Sequence, residues 1–320
     1  MSPPADRIRI ATRGSKLALR QTDLVADLLR SANPDLEIEI KVVKTLGDRD
    51  SRPFSQIGRK GIFTSEVERE VVEGQAEVAV HSAKDLTAEL APGCAIVCVP
   101  NRRTVNDVVV GSSGSSGEER LGSLQRGARV GTSSMRRRML LAEVRPDVEA
   151  VELRGNLDTR LRKVSEGEVD AAILAAAGIE RLEIDADYAP LDTERWIPAP
   201  GQGALAVEAL ADSASATLFK TIDDGSARAE VECERAFAAR LEGGCSVPLG
   251  CLARAQGTQL VVLGYLSSPE GGLSLRDRIS GGFHEATTLG IQLADAILDA
   301  GGDEILDEVR ESIVPPVDEP

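Results

Sequence analysis

The stretch IRIATRGSKLALRQTDLVADLLRSANPDLEIEIKVVKT, residues 8–45, decides the fold. Residues 8–12 read as a β-strand. Leu17, Leu24, Val25, Leu28 and Leu29 then recur at helical spacing until Asn33-Pro34 ends the helix, and residues 36–45 form a second strand. Strand, helix, strand is the βαβ unit of a mostly parallel sheet with helices on its faces. The same grammar continues with a helix near 64–73 and strands at 77–81 and 95–99. Past a weak boundary at 100–107 it resumes: a strand at 108–110, a surface loop GSSGSSGEER (111–120), a strand near Val130 and a helix over 134–144 stopped by Pro146. A strand at 148–153, a helix over 157–166 and a strand at 171–175 complete this second unit. The Pro/Gly-rich run WIPAPGQGALAVEA (196–209) reads as a crossover returning to the first sheet and ending in a strand. A long helix at 226–241 follows. Strands at 249–253, 259–266 and 273–276, with helices at 285–300 and 304–312, then make a small α+β module. The expected architecture is α/β: three units, two of them similar lobes facing a cleft.

Composition narrows the function classes. The chain has 320 residues, 37 basic and 52 acidic, for a net charge of −15. So acidic a protein is not expected to track a nucleic-acid backbone, which needs a positive surface. No apolar run approaches the ~20 residues of a membrane span. The opening MSPPADRIRI leaves no room for a signal or transit peptide before the first strand. Five cysteines, an odd number in a long chain, point to reduced thiols and a cytoplasmic setting. Two histidines and no ligand-spaced Cys/His cluster argue against a zinc site. Cys94, Cys98 and His81 read as core residues.

The chemistry gathers at strand ends, where open α/β sheets bind ligands. Thr12-Arg13-Gly14-Ser15 closes the first strand and opens a helix. Gly131-Thr132-Ser133-Ser134 does the same in the second unit, with Arg136, Arg137 and Arg138 in the first helical turn. Such starts are simple N-caps or anion sites. Cations in a first turn oppose the helix dipole, and an anionic ligand between them would offset that cost. Arg154-Gly155-Asn156, Arg160 and Arg181 follow later strands. Thirty of the 37 basic residues are Arg, which serves as a planar fork for carboxylates where Lys does not. A cleft rimmed by arginines in an acidic protein suggests a small ligand carrying several carboxylates. Lys84-Asp85, after the strand VAVHSA, offers a carboxylate for acid–base work or for holding N–H groups; a surface ion pair is the plain alternative. Cys245, on the Gly-rich loop after the long helix, either packs that loop or presents a thiol for covalent attachment. Residues 47–61, GDRDSRPFSQIGRKG, are a functional flap or disordered.

Eight segments, in order, resemble the porphobilinogen deaminase (hydroxymethylbilane synthase) family: IATRGSKLAL (10–19), GRKGIFTSEVE (58–68), VAVHSAKDL (78–86), GTSSMRRR (131–138), LRGNLDTRL (153–161), ILAAAGIERL (173–182), PGQGALAVE (200–208) and LEGGCSVPLG (241–250). The resemblance implies three domains: residues 1–102 with 203–222, residues 106–198, and residues 225–320. The first two would be periplasmic-binding-protein-like lobes joined by a double crossover, and the third would carry the cofactor cysteine. It further implies a dipyrromethane cofactor joined by a thioether to Cys245, priming the stepwise addition of porphobilinogen with loss of ammonia. Asp85 falls on the family's catalytic aspartate. Arg13, Ser15, Ser82, Lys84, Thr132, Ser133, Ser134, Arg136, Arg137, Arg154, Gly155, Arg160, Arg181 and Gln202 fall on cofactor- or substrate-binding positions, and Lys60 on the flap. A monomer is expected. The chain departs from the family at Thr87, where a Pro is usual. It departs at Gln56, a flap position that is Lys in some members, and in NRRTVND (101–107), which replaces a usually acidic stretch and leaves only Asp107 clearly matched. Two rival readings are a non-catalytic carboxylate-binding protein with paired lobes and a cysteine-dependent hydrolase. The first needs neither Asp85 nor a presented thiol, and the second lacks a His partner.

Overall fold

The computed structural model describes residues 7–45, 64–243 and 247–313. The expected flap, 47–61, lies outside them. Strand β1 (Arg7–Arg13) pairs in parallel with β2 (Glu37–Val43) and β3 (Val78–Ser82). The late strand β10 (Leu205–Leu210) enters between β3 and β4 (Cys94–Cys98), antiparallel to both, giving the order β2-β1-β3-β10-β4. The second sheet repeats this plan with the order β7-β6-β8-β5-β9. Its parallel centre is β6 (Arg129–Gly131), β7 (Glu149–Val151) and β8 (Ala171–Ala175). Here β5 (Asp107–Val110) is the antiparallel insert, flanked by β9 (Tyr188–Pro190). Each lobe thus takes one strand from just across a connection, and the two connections cross together. Arg102 and Ala204 form a β-bridge between them.

Helix α1 (Lys16–Ala32) covers the first sheet because Val25, Ala26 and Leu29 recur on one face and meet Ile8, Ile10 and Val78 in a common core. Each fully buried Val, Leu or Ile contributes roughly 1.5–3 kcal/mol relative to exposure. The buried face is not quite the stripe expected. Gln21 and Thr22 are buried, whereas Leu28 is 39% exposed. The expected loop 111–120 is also shorter than its composition suggests. Ser116 accepts a hydrogen bond from Glu119 N, Glu118 and Glu119 favour the helix dipole, and Leu121 is buried, so Gly117–Ser123 forms helix α3. (Helix α2 is Ser65–Val72.) In the second lobe α4 (Met135–Val144), α5 (Leu157–Ser165) and α6 (Ala176–Arg181) follow their strands. A short α7 (Ala214–Phe219) precedes the third unit.

That unit packs α8 (Gly225–Arg240) and α9 (Ala286–Ile297) on the antiparallel sheet β11 (Leu249–Gln256), β12 (Gln259–Ser267) and β13 (Ser274–Gly282). Helix α10 (Asp303–Ile313) closes it. Glu234 of α8, fully buried, ties it to the crossovers: it accepts from Arg102, from Gly201 N at 2.6 Å and from Ala253 N at 2.8 Å. Cys98 is buried, and His81 is a core residue with Nε2 3.1 Å from a Glu208 oxygen, as the sequence reading expects, whereas Cys94, at the start of β4, is only half-buried.

Candidate functional site

The two lobes face each other with the carboxyl ends of their parallel strands and the N-termini of the following helices. Strand β1 ends at Arg13, and Ser15 caps α1 by accepting from Ala18 N at 3.2 Å. Strand β3 ends at Ser82, which exchanges hydrogen bonds with Gln21. A single 3-10 turn, Ala83–Asp85, then carries Lys84 and Asp85. Arg13, Ser15, Gln21, Ser82 and Asp85 line one small cavity. Both Lys84 and Asp85 are exposed. The turn is held from behind by the second crossover: Ala83 N donates to Ala204 O at 3.0 Å. Gly201, at φ +74°, passes so close that a Cβ there would lie 2.9 Å from Lys84 N. Glycine is required there on both counts.

Across the cleft, the hydroxyl-rich start of α4 is a cap. Ser134 Oγ accepts from Arg137 N, Thr132 Oγ1 accepts from Ser134 N, and Ser133 donates to Leu153 O at 2.7 Å. The arginines of this turn were expected to need an anionic ligand. The structure supplies a carboxylate from the chain itself. Asp107, fully buried at the start of β5, accepts from Arg136 Nη1 at 2.7 Å, from Arg137 Nη2 at 2.7 Å and Nε at 3.0 Å, and from Gln202 Nε2 at 2.9 Å. Arg136 Nη1 also donates to Ile197 O at 2.9 Å, and Arg137 Nη1 donates to Ile173 O at 2.9 Å. Arg138 pairs with Glu152. The two arginines hold the Asp107 carboxyl well below the usual carboxylate range, against the desolvation that would raise it. Two guanidiniums against one carboxylate leave an excess positive charge at the base of the cleft.

That charge reaches the opposite lobe. Lys84 keeps accessible surface, yet the protein around it strips enough water that its ammonium pKa falls to about 8, with Arg137 adding to the drop and Asp85 and Asp107 opposing it. Lys84 Nζ is 3.4 Å from Gln202 Oε1, so Gln202 links Lys84 to Asp107. Arg160 donates Nε to Gly155 O at 2.8 Å, and its pKa is lowered by burial and by Arg137, with Asp85 acting to raise it. Arg154 lies 3.4 Å from Glu152. Lys84, Asp85, Arg136, Arg137, Arg154, Arg160 and Gln202 therefore form one electrostatic group. A cleft with this surplus of guanidinium and ammonium donors and the exposed carboxylate of Asp85 suits a polycarboxylate with N–H groups, the chemistry of a dipyrromethane bearing acid side chains. At the mouth, Lys16 of α1 meets Asp158 of α5 at 2.7 Å, joining the lobes.

Arg181 is not brought into this group. It lies at the far end of α6, donates Nη2 to Gly203 O at 2.7 Å and lines a different cavity. Cys245 and Lys60 lie outside the described residues. Sequence reading does not single out Asp107 as a site residue. Its signal is that it is the lone acid among residues 100–110 and opens an apolar strand. Among the described residues no group of His, Cys, Asp and Glu is arranged to hold a metal, and no helix is long and apolar enough to cross a membrane.

The family profile described as porphobilinogen deaminase, dipyromethane cofactor binding domain, matches residues 8–217, and that of the porphobilinogen deaminase C-terminal domain matches residues 228–299. A porphobilinogen deaminase of Roseiflexus sp. (strain RS-1) is 44% identical over 300 residues, covering 93% of this chain and 97% of the relative. A probable porphobilinogen deaminase of Nitrosopumilus maritimus is 38% identical over 305 residues, covering 95% of this chain and 97% of the relative. Among solved structures, the methionine binding protein MetQ aligns over 73% of this chain and 94% of its own, with a TM-score of 0.43 at 12% identity.

Proposed function

The chain belongs to the porphobilinogen deaminase family, and on that premise we propose that it joins porphobilinogen units stepwise, with loss of ammonia, into the linear tetrapyrrole hydroxymethylbilane. A dipyrromethane on Cys245 supplies, when bound, the pyrrole carbon to which the first unit is added. The observation that carries the reading is the exposed carboxylate of Asp85 set among Lys84, Arg137 and Arg160. Loss of ammonia leaves positive charge on the substrate methylene, and a fixed carboxylate beside it stabilises that charge. The same carboxylate accepts pyrrole N–H groups and moves protons.

The cations divide the remaining work. Arg13, Arg154 and Arg160 grip acetate and propionate arms as forks, and Lys84 binds as a point charge. Arg136, Arg137 and Gln202, fixed by Asp107, set the potential at the base of the cleft and keep the arms in register with Asp85. Ser15, Ser82, Thr132, Ser133, Ser134 and Gly155 shape the two helix starts and the strand end that flank the arms. Arg181 acts at a distance by holding the second crossover, and Lys60 is taken as the family's flap lysine. The domain division of the chain is taken as 1–102 with 203–222, 106–198, and 225–320. We read the protein as a cytoplasmic monomer that uses neither nucleic acid, membrane nor metal.

Intact mass of the purified protein tests the attachment: an adduct of a dipyrromethane's mass is expected, and its loss in Cys245→Ala. A bare thiol in active enzyme would sink the covalent primer. Asp85→Asn should fold and carry the adduct while turning over at a small fraction of the normal rate; near-normal turnover would remove Asp85 from the chemistry.

A further inference from the structure

Away from the cleft, a cavity of about 220 Å³ opens where α1 meets the two crossovers. Its walls come from three parts of the molecule: Leu24 and Leu28 of α1, Pro100 and Arg103 of the first crossover, and Arg181 of the second lobe. Leu205, at the start of β10, completes the apolar surface. We propose that this cavity binds a small carboxylate with an apolar body, the acid group meeting Arg181 and Arg103 and the body lying on the leucines and Pro100.

Four observations support it. Arg181 is 7% exposed, and although Nη2 donates to Gly203 O, its Nε is buried with no hydrogen-bond partner. A charged donor left unmet in this way costs free energy that an acceptor would recover. Burial, with Arg103 contributing, pushes the Arg181 pKa down to about 10, so the two guanidiniums repel each other and an anion between them would relieve the strain. The nearby acids do not fill that role. Asp27 lines the cavity but pairs with Arg30 at 2.9 Å, Glu183 pairs with Arg20 at 3.0 Å, and Glu180 attracts Arg181 less than burial and Arg103 disfavour its charge. Finally, Leu28 belongs to the helical stripe of α1 yet stays 39% exposed, leaving apolar surface at this spot that the core does not use. An occupant touching both lobes and a crossover would favour the lobe arrangement seen here, by the ordinary linkage of binding to conformation.

Isothermal titration of the full-length holoenzyme with hexanoate tests the site, with 1-hexanol and inorganic phosphate as comparison probes. Saturable 1:1 binding of hexanoate is expected, with no binding of the alcohol and weaker binding of phosphate. Arg103→Glu, at an exposed position, should weaken hexanoate by about tenfold or more, and Leu28→Glu should do the same from the apolar side. Arg154→Leu, in the cleft, should leave it unchanged. No saturable heat, equal affinity in Arg103→Glu, or loss of binding in Arg154→Leu would overturn the proposal, the last by placing the ligand in the cleft. Phosphate binding as tightly as hexanoate would remove the apolar body from the argument and overturn it as stated.

Discussion

Replacing Asp107 by Asn keeps the shape of the side chain and removes its charge, so it isolates what that carboxylate does. In the folded protein its two oxygens accept three guanidinium N–H bonds, at 2.7, 2.7 and 3.0 Å, and one amide bond at 2.9 Å, at a fully buried position. An asparagine offers one acceptor oxygen and turns an amide N–H₂ toward a guanidinium, donor against donor. Two buried arginines then share a site with no counter-charge. Removing one partner of a buried ion pair costs about 3–5 kcal/mol. At about 2–4 °C per kcal/mol for a domain of this size, the melting temperature should fall by about 6–20 °C. The pH dependence has a definite sign. Asp107's native pKa is depressed, so its stabilisation is complete above the unfolded value of about 3.9 and fades as pH falls toward the native value. The gap between wild type and Asp107→Asn should therefore be constant from neutral pH to about 5 and close in acid. Calorimetric or circular-dichroism melting of both proteins at several pH values reads this directly. A loss below about 1 kcal/mol at pH 7, or a gap that widens in acid, would refute the view of Asp107 as the anchor of Arg136 and Arg137.

Three further predictions use other parts of the site. Because the Lys84 ammonium titrates near pH 8, kcat/KM should fall as pH rises through that value, and Lys84→Arg should flatten this alkaline limb; an unchanged limb in the variant would assign it to another group. Gly201→Ala would force a Cβ against the turn that carries Asp85, so kcat/KM should drop on the order of a hundredfold with far-UV circular dichroism unchanged; a small drop would mean that the crossover yields easily. Lys16→Ala removes an exposed bridge between the lobes and should leave the melting temperature unmoved, while a clear fall would show that the bridge holds the cleft closed.

Much of the fold is written locally. The helical pattern over residues 16–32 is strong because α1 buries one face on a sheet, and the elements of 7–45 and 129–181 stand where the sequence puts them. Short elements fare worse. Gly117–Ser123 hides in a Gly/Ser-rich run, because one cap, two acids and one buried leucine make a helix too brief to show a period. Tyr188–Pro190 is a strand only because β5 offers it a partner. Within the site, the positions of Arg13, Lys84, Asp85 and Arg154 just at or after strand ends, and of Arg160 in the helix that follows, are legible, since strand ends are where such sheets present side chains. The state of Arg136 and Arg137 is not. Their partner Asp107 lies 29 and 30 residues earlier in the chain, too far for a local pattern to pair it with them.

The sequence alone determined the α/β grammar, the ordered motifs and the residue types of a polyanion-binding cleft, because these depend on periodicity and on chemistry carried by neighbouring residues. Only the tertiary structure decided which charges are spent inside the protein and which face a ligand. Asp107, held in place by Gln202, neutralises part of the arginine cluster, Asp85 is left exposed among cations, and Arg181 turns to a separate cavity. Those outcomes depend on how two crossovers thread between the lobes, and burial and Coulomb energy act between groups that only the completed fold brings within reach.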